Sequence, residues 1–204
     1  MFAKEIIVIL LSYTLGCVAT GYYIVKFCVK KDIRQLGTGT IGARNVGRIL
    51  GKKGFAFTIT ADALKGATAV FLCTYLNLPD WALILSMLAV TAGHIFPVQL
   101  SFHGGKGIGV TVGALLLFDY YLAAGLFLSF ALLFLLSRNY MLSGIIAIII
   151  LPITAFLHNH SHIEVVGIIL LVTLVLFAHR KNIQKLFTRN TISIQKIEHQ
   201  DIEL

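Results

Sequence analysis

The segment YMLSGIIAIIILPITAFL, residues 140–157, is apolar almost from end to end, and it decides the class of fold. A helix needs about 20 apolar residues to cross the hydrocarbon core of a bilayer, so this segment is nearly a full span. Its apolar residues do not alternate with polar ones, as they would on the strands of a membrane β-barrel. The stretch therefore predicts a transmembrane α-helix.

Six further segments have the same character. Of the 204 residues, 57% are hydrophobic and 13% are charged, whereas about 25% are charged in a typical soluble domain. This composition excludes a soluble or disordered chain, and we expect an all-α, polytopic membrane protein with seven spans. The predicted spans are residues 6–27, 55–76, 81–100, 107–120, 121–137, 140–157 and 163–178.

The basic residues between the spans lie almost wholly on one side of the predicted membrane. The formal net charge is +8, and cytoplasmic loops of membrane proteins collect Lys and Arg. Lys4 is the only basic residue of the opposite loops. We therefore expect an outside N-terminus and a cytoplasmic C-terminus, and the spans exclude a soluble nucleic-acid binder. The residues of the basic side are Lys30, Lys31, Arg34, Arg44, Arg48, Lys52, Lys53, Lys106, Arg138, Arg180, Lys181, Lys185, Arg189 and Lys196.

Two glycine clusters carry basic residues on this same side. They are residues 37–45, GTGTIGARN, and residues 104–109, GGKGIG. Glycine lets backbone N–H groups approach an anion, and a cation neutralises it. Neither cluster has the strand–helix setting of a dinucleotide fold or the spacing of a P-loop. The pattern indicates a membrane protein that binds phosphate-bearing ligands.

Polar residues inside or beside a predicted span need a reason, because hydrocarbon makes them costly. Asp62 and Lys65 are three residues apart on one helix face and are interpreted either as a structural ion pair or as part of a site. His94 is either a helix–helix hydrogen-bonding group or a catalyst. Arg138 and Asn182 lie at the predicted cytoplasmic side with them.

At these residues the chain resembles the bacterial acyl-phosphate:glycerol-3-phosphate acyltransferases over about residues 13–187. The blocks that carry the resemblance are YTLG (13–16), GYYIVK (21–26), DIRQLG (32–37), IGA (41–43), Asn45, Arg48, LGKK (50–53), DALKG (62–66), GHIFPV (93–98), Phe102, GGKG (104–107) and HRKNI (179–183). The resemblance implies a seven-helix enzyme domain at 1–187, before a polar cytoplasmic tail at 188–204. It also implies transfer of a fatty acyl group from acyl phosphate to the sn-1 hydroxyl of glycerol 3-phosphate, giving lysophosphatidic acid and phosphate. It implies the bacterial cytoplasmic membrane as the location, and no metal or other cofactor.

The residue chemistry fits two phosphate-bearing substrates, and which cluster holds which substrate is left open. The catalytic candidates are His94, Lys106 and Asn182. His94 is expected to orient the attacking hydroxyl or take its proton, unless the leaving phosphate accepts that proton. Asn182 or backbone N–H groups are expected to stabilise charge on the carbonyl oxygen. The substrate-binding candidates are Thr38, Gly39, Gly42, Asn45, Arg48, Asp62, Lys65, Gly104, Gly105 and Arg138.

Several positions depart from the family pattern and indicate a divergent paralogue. They leave open a weakly active or inactive relative that binds phosphate ligands or protein partners at the membrane. A transporter is disfavoured because the last three spans are nearly all apolar at mid-membrane. We expect membrane lipid as a partner, together with contact to other enzymes of phospholipid synthesis. The departures are Thr38 for Ser, Thr40 for Asn, Arg44 for Thr, His103 for Lys and Met141 for Ser, with CVA (17–19) replacing Ser-x-Pro in the first span.

Overall fold

A computed structural model describes the backbone of residues 2–202 and the side chains of residues 2–184 and of Leu186. Within residues 2–202 every regular element is helical, which confirms the all-α prediction. Two short 3₁₀ helices, Ile33–Gln35 and Val98–Leu100, lie in the connections. The α-helices are α1 (Ala3–Cys17), α2 (Thr20–Val29), α3 (Ala43–Tyr75), α4 (Asp80–Ile95), α5 (Ile108–Phe118), α6 (Tyr120–Ser137), α7 (Tyr140–Leu157) and α8 (His162–Ile202).

Six helical segments in the described part are long and apolar enough to cross a membrane, so the chain is a multi-pass membrane protein. The fourth predicted span, residues 107–120, corresponds to the 11-residue helix α5. At about 1.5 Å per residue, α5 covers roughly half of a hydrocarbon core about 30 Å thick. The six segments are Ala3–Val29, Ala43–Tyr75, Asp80–Leu100, Tyr120–Ser137, Tyr140–Leu157 and His162–Gln184.

Three predicted boundaries differ from the observed ones. The first span is not one helix, because it breaks between Cys17 and Thr20. Helix α3 begins at Ala43, inside the predicted connection, and changes direction at Gly51, whose φ of 71° is left-handed. Helix α8 runs past the predicted end at residue 178 to Ile202, so residues 188–202 of the predicted tail are helical. Hydropathy marks where a chain is apolar, whereas a helix continues wherever its own backbone bonds are kept.

Glycines bring the helices into close contact around the loops that carry the motifs. Helices α1 and α4 meet at Gly16 and Gly93, where a Cβ on either glycine would overlap the backbone of the other helix. Helices α3 and α5 meet in the same way at Gly66 and Gly113. Small residues at such crossings let membrane helices approach through their backbones. The result is a tight group of α1, α3, α4 and α5, from whose ends the two glycine clusters project.

Candidate functional site

The first glycine cluster is organised by the side chain of Asn45, which is only 1% exposed. Its Oδ1 accepts a hydrogen bond from the Thr38 N–H at 2.8 Å. Its Nδ2 donates to the carbonyls of Leu36 at 2.9 Å and of Thr40 at 2.8 Å. One amide therefore ties the turn of residues 36–40 to the first turn of α3. The amide of Asn45 is thus bonded within the protein at both ends. Direct contact between Asn45 and substrate stays a prediction.

This turn leads into a helix N-terminus without a side-chain cap. Gly42 is the N-cap residue of α3 and offers no side chain to the first N–H groups of the helix. The Asn45 N–H donates to the Gly42 carbonyl at 2.9 Å. The N–H groups of Ala43 and Arg44 come before the first helical bonds and favour an anion. Thr38 and Gly39 are exposed in the preceding turn, and Arg48 is exposed one turn into α3. The arrangement suits a phosphate with a cation close by.

The second glycine cluster is bound to the end of α4. The Gly104 N–H donates to the Ile95 carbonyl at 3.1 Å, and the Gly105 N–H donates to the His94 carbonyl at 3.0 Å. A Cβ on Gly105 would overlap the His94 ring. The physical reason for these two glycines therefore differs from the predicted one. They allow the loop to lie directly on α4, and their N–H groups are bonded inward, so their contact with substrate stays a prediction.

A helix N-terminus that suits an anion follows this loop, at the start of α5. Gly107 has a φ of 82° and is the N-cap residue of α5, again without a side-chain cap. Lys106 is half-buried immediately before it. Lys106 also lies within electrostatic range of His179 on α8. Helix α5 thus presents the same kind of uncapped N-terminus as α3, with a lysine beside it.

Arg34 joins the two clusters. Its Nη1 donates to the Leu100 carbonyl at 3.4 Å, four residues before the second cluster. Its Nη2 lies 2.7 Å from an oxygen of Asp32. Hydrogen bonding and charge from Arg34 hold the pKa of the Asp32 carboxyl below its ordinary value. Beneath this link, Ile33, Ile41 and Leu100 belong to one buried apolar cluster. Arg34 and this apolar cluster therefore connect the segment before α3 to the segment before α5.

Asp62, Lys65 and His94 are buried among the helices and are 3%, 6% and 4% exposed. Lys65 Nζ is 2.7 Å from Asp62 Oδ1, so the predicted ion pair is present. The same carboxylate oxygen is 3.7 Å from His94 Nδ1. Binding of substrate by Asp62 or Lys65, and catalysis by His94, stay predictions that this burial does not favour.

The two remaining predicted residues, Arg138 and Asn182, lie at the end of α6 and on α8. Arg138 is the exposed C-cap residue of α6, and Asn182 is half-buried on α8, three residues after His179. The turn that contains Arg138 leads to Tyr140, whose ring lies 4.6 Å from the Arg44 guanidinium. This contact brings the start of α7 to the start of α3.

Comparison with known proteins identifies the family. The family model described as "Glycerol-3-phosphate acyltransferase" matches residues 6–189. This chain belongs to the glycerol-3-phosphate acyltransferase family. It is 41% identical over 187 residues to glycerol-3-phosphate acyltransferase 1 of Desulfitobacterium hafniense (strain Y51), a match that covers 92% of this chain and 93% of that protein. It is 36% identical over 179 residues to glycerol-3-phosphate acyltransferase 1 of Bacillus thuringiensis subsp. konkukian (strain 97-27), covering 88% of this chain and 98% of that protein.

Solved structures agree with this acyltransferase assignment. The fold is similar to the crystal structure of PlsY (YgiH), an integral membrane glycerol 3-phosphate acyltransferase, in its glycerol 3-phosphate form. The TM-score is 0.85 at 30% identity, with 91% of this chain and 93% of that chain covered. The lysophosphatidic acid form of the same enzyme gives a TM-score of 0.83 at 29% identity, with the same coverage. The resemblance in the sequence motifs is thereby confirmed.

Three residues with contacts near the two clusters or the break in the first span have no predicted role. Arg34 belongs to the predicted cytoplasmic basic residues and to the DIRQLG block, and His179 belongs to the HRKNI block, but the sequence assigns a site role to neither of them nor to Gln99. Gln99 Nε2 donates to the Cys17 carbonyl at the break between α1 and α2. His179 could have been found from its place in the HRKNI block. The contacts of Arg34 and Gln99 depend on segments 66 and 82 residues away, so no local pattern indicates them.

Proposed function

We propose that this acyltransferase moves a fatty acyl group from acyl phosphate to the sn-1 hydroxyl of glycerol 3-phosphate, giving lysophosphatidic acid and phosphate. The observation that carries the proposal is the pair of uncapped helix N-termini at Gly42 and Gly107, each with a basic residue nearby and joined through Arg34. Both substrates carry phosphate, so the reaction needs two anion sites. In this proposal the two sites hold donor and acceptor in reacting positions.

In this mechanism each phosphate is held by a helix end and a cation, with Arg48 at the first cluster and Lys106 at the second. The bond between the acyl carbon and the phosphate oxygen breaks as the sn-1 oxygen bonds to that carbon. Charge that develops on the carbonyl oxygen is stabilised by Asn182 or by backbone N–H groups. The hydroxyl proton goes to the departing phosphate. This route is favoured over His94 as the base, because the Gly105 backbone covers the His94 ring.

The proposed topology has seven spans, with the N-terminus outside and the C-terminus in the cytoplasm of a bacterial cell whose cytoplasmic membrane holds the enzyme. Helices α1 and α2 together form the first span, and α5 serves as a short fourth span packed against α3. The one-sided basic residues support this orientation. A reporter that fluoresces only when it folds in the cytoplasm, fused after Leu204, should be fluorescent. A periplasmic C-terminus would refute the proposed topology.

The acyl phosphate donor and the lipid product are both membrane-soluble, so we propose that they enter and leave sideways from the bilayer. Contact with other enzymes of phospholipid synthesis would shorten the path of the donor. Crosslinking in native membranes would test that contact separately from the chemistry.

The decisive experiment supplies the purified protein, in lipid, with palmitoyl phosphate and glycerol 3-phosphate. We expect lysophosphatidic acid and phosphate in equal amounts, measured by mass spectrometry and a phosphate assay. Palmitoyl-CoA in place of palmitoyl phosphate serves as the control and should give no product. Absence of product from palmitoyl phosphate, under conditions where a relative turns over, would refute the acyl-transfer proposal.

The contact between Arg44 and Tyr140 favours one second candidate, a weakly active relative that binds phosphate ligands or partners. Arg44 stands on the first turn of α3, where the family pattern has Thr, and its guanidinium covers the Tyr140 ring. In that case glycerol 3-phosphate would bind, as measured by calorimetry, with turnover far below that of a relative. The variant Arg44→Thr should then raise activity, while wild-type turnover at the level of a relative would exclude this candidate.

A further inference from the structure

The first membrane span is interrupted where its sequence is apolar. Helix α1 ends at Cys17 and α2 begins at Thr20. A break within a span frees backbone carbonyls, and in a membrane each must find a donor from the protein or a water-filled cavity. The Val18 carbonyl accepts the Thr20 N–H at 2.9 Å. Two further donors reach the break from distant parts of the chain. Lys65 Nζ on α3 donates to the Val18 carbonyl, and Gln99 Nε2 donates to the Cys17 carbonyl.

Lys65 reaches the break as half of a buried ion pair. Its Nζ is 2.7 Å from Asp62 Oδ1, and both side chains are almost fully enclosed. A buried cation is tolerated only when a counter-ion and hydrogen bonds replace its water. Asp62 therefore holds the Lys65 side chain in place beside the Val18 carbonyl.

The same carboxylate faces the second glycine cluster through His94. Asp62 Oδ1 is 3.7 Å from His94 Nδ1, and that nitrogen is buried with no hydrogen-bond partner among the described residues. On the other side of the ring lies Gly105, whose N–H donates to the His94 carbonyl at 3.0 Å. Gly109, in the first turn of α5, also packs close to Asp62, so that a Cβ there would lie 3.0 Å from the Asp62 Cβ. One buried group of residues thus touches the broken span and the loop that carries Lys106.

We propose that Asp62, Lys65 and His94 are positioning residues that set the place of the Lys106 loop relative to the first span without touching substrate. The proposal rests on the proposed function, in which that loop holds a substrate phosphate. The carbonyl of Val18 fixes Lys65, Lys65 fixes Asp62, and Asp62 with Gly105 confines the His94 ring. The loop before α5 lies on that ring, so loss of the link displaces Lys106 while the helices stay packed through their glycines.

The test separates positioning from simple charge compensation. Removal of one buried partner leaves the other charge uncompensated and destabilises the fold, whereas removal of both charges relieves that penalty. We therefore compare Asp62→Asn, Lys65→Met and the double variant, with Lys31→Met as the control because Lys31 is exposed in a connection. KM for each substrate, kcat and melting temperature are measured for every variant.

We expect the double variant to melt within about 2 °C of wild type. Its KM for one phosphate substrate should nevertheless stay raised about ten- to a hundredfold, because a binding group misplaced by about 1 Å costs up to ~100-fold. Lys31→Met should match wild type in both measurements. Recovery of both the melting temperature and KM in the double variant would overturn the proposal, since the pair would then serve stability alone.

A second variant keeps the proposal testable if the double variant does not fold. Gly105→Ala leaves the ion pair intact and disturbs the link at the loop end, where a Cβ would overlap His94. A raised KM with an unchanged melting temperature supports the link, and an unchanged KM overturns it. If the wild-type protein gives no lysophosphatidic acid, the proposed function fails by itself. The link is then tested by the Kd of glycerol 3-phosphate, measured by calorimetry on the same variants.

Discussion

The substitution Asn45→Ala should disorder the first glycine cluster while leaving the stability of the helix bundle nearly unchanged. Asn45 makes three hydrogen bonds with the backbone of the turn at residues 36–40. Alanine leaves those three backbone groups without their partner. The turn bends through Gly37 and Gly39, with φ of 58° and 71°. Without Asn45 it keeps the bond from the Gly39 N–H to the Leu36 carbonyl at 3.0 Å and the contact between the Thr38 and Thr40 hydroxyls at 3.1 Å.

The size of the effect follows from the number of bonds. A typical hydrogen bond contributes about 1 kcal/mol net, so three give about 3 kcal/mol. Water reaches part of this turn and replaces some of that loss, which leaves about 1–3 kcal/mol. At about 1.4 kcal/mol per factor of ten, kcat/KM should fall roughly 5- to 150-fold. Most of the loss should appear in KM, because substrate binding must then order the turn.

The melting temperature should change much less than the kinetics. The backbone of α3 departs from helical geometry at Gly51, so residues 43–50 can loosen without unfolding the rest of α3. A global loss of 3 kcal/mol would lower the melting temperature by about 6–12 °C in a chain of this size, whereas a local loss should lower it by less than about 4 °C.

The assay measures lysophosphatidic acid production at varied glycerol 3-phosphate and at varied acyl phosphate, next to a thermal melt in the same lipid. The matched control is Asn77→Ala, in the turn after α3 at the other end of that helix, with a positive φ of its own. It should leave both KM values unchanged. A fall of more than about 6 °C with unchanged KM values would refute the reasoning and make Asn45 a stability residue.

Three further predictions concern the packing, the charge and the second cluster. Gly113→Ala should cost about 1–3 kcal/mol and several degrees of melting temperature, because the added Cβ overlaps the Ala63 backbone, whereas Gly125→Ala, whose Cβ would lie 4.0 Å from Thr154 Cγ2, should cost little. Asp32→Asn should lower the melting temperature at pH 7 by a few degrees at most. The pKa of Asp32 is lowered in the fold, so its contribution is present above about pH 4 and is lost as pH falls through the folded value; a deficit that persists at pH 2 would contradict this origin. Lys106→Ala should raise KM for a phosphate substrate about ten- to a hundredfold with kcat less affected, and identical kinetics would remove the second anion site.

Most of the helices could be predicted from the sequence, because a membrane helix forms its backbone hydrogen bonds within its own segment. Residues 140–157, for example, form α7 with the predicted bounds. The motifs likewise indicated the family, since glycine and basic residues are local features, and the two phosphate sites stay a prediction. The predicted role of some individual residues differs from the contacts that they make in the structure. Gly105 was expected to offer its N–H to an anion, but that N–H is bonded to the His94 carbonyl.

The amino-acid sequence by itself determined the helices, the family and the placement of both glycine clusters, because hydropathy and short motifs act within one segment of chain. Only the tertiary structure decided how the break at Val18 is held, since its carbonyl accepts from Lys65, 47 residues away, as well as from the nearby Thr20 N–H. It also decided that Asp62 and His94 are buried among the helices. Burial and partnership of a polar group depend on which helices pack around it, and that packing is a property of the whole fold.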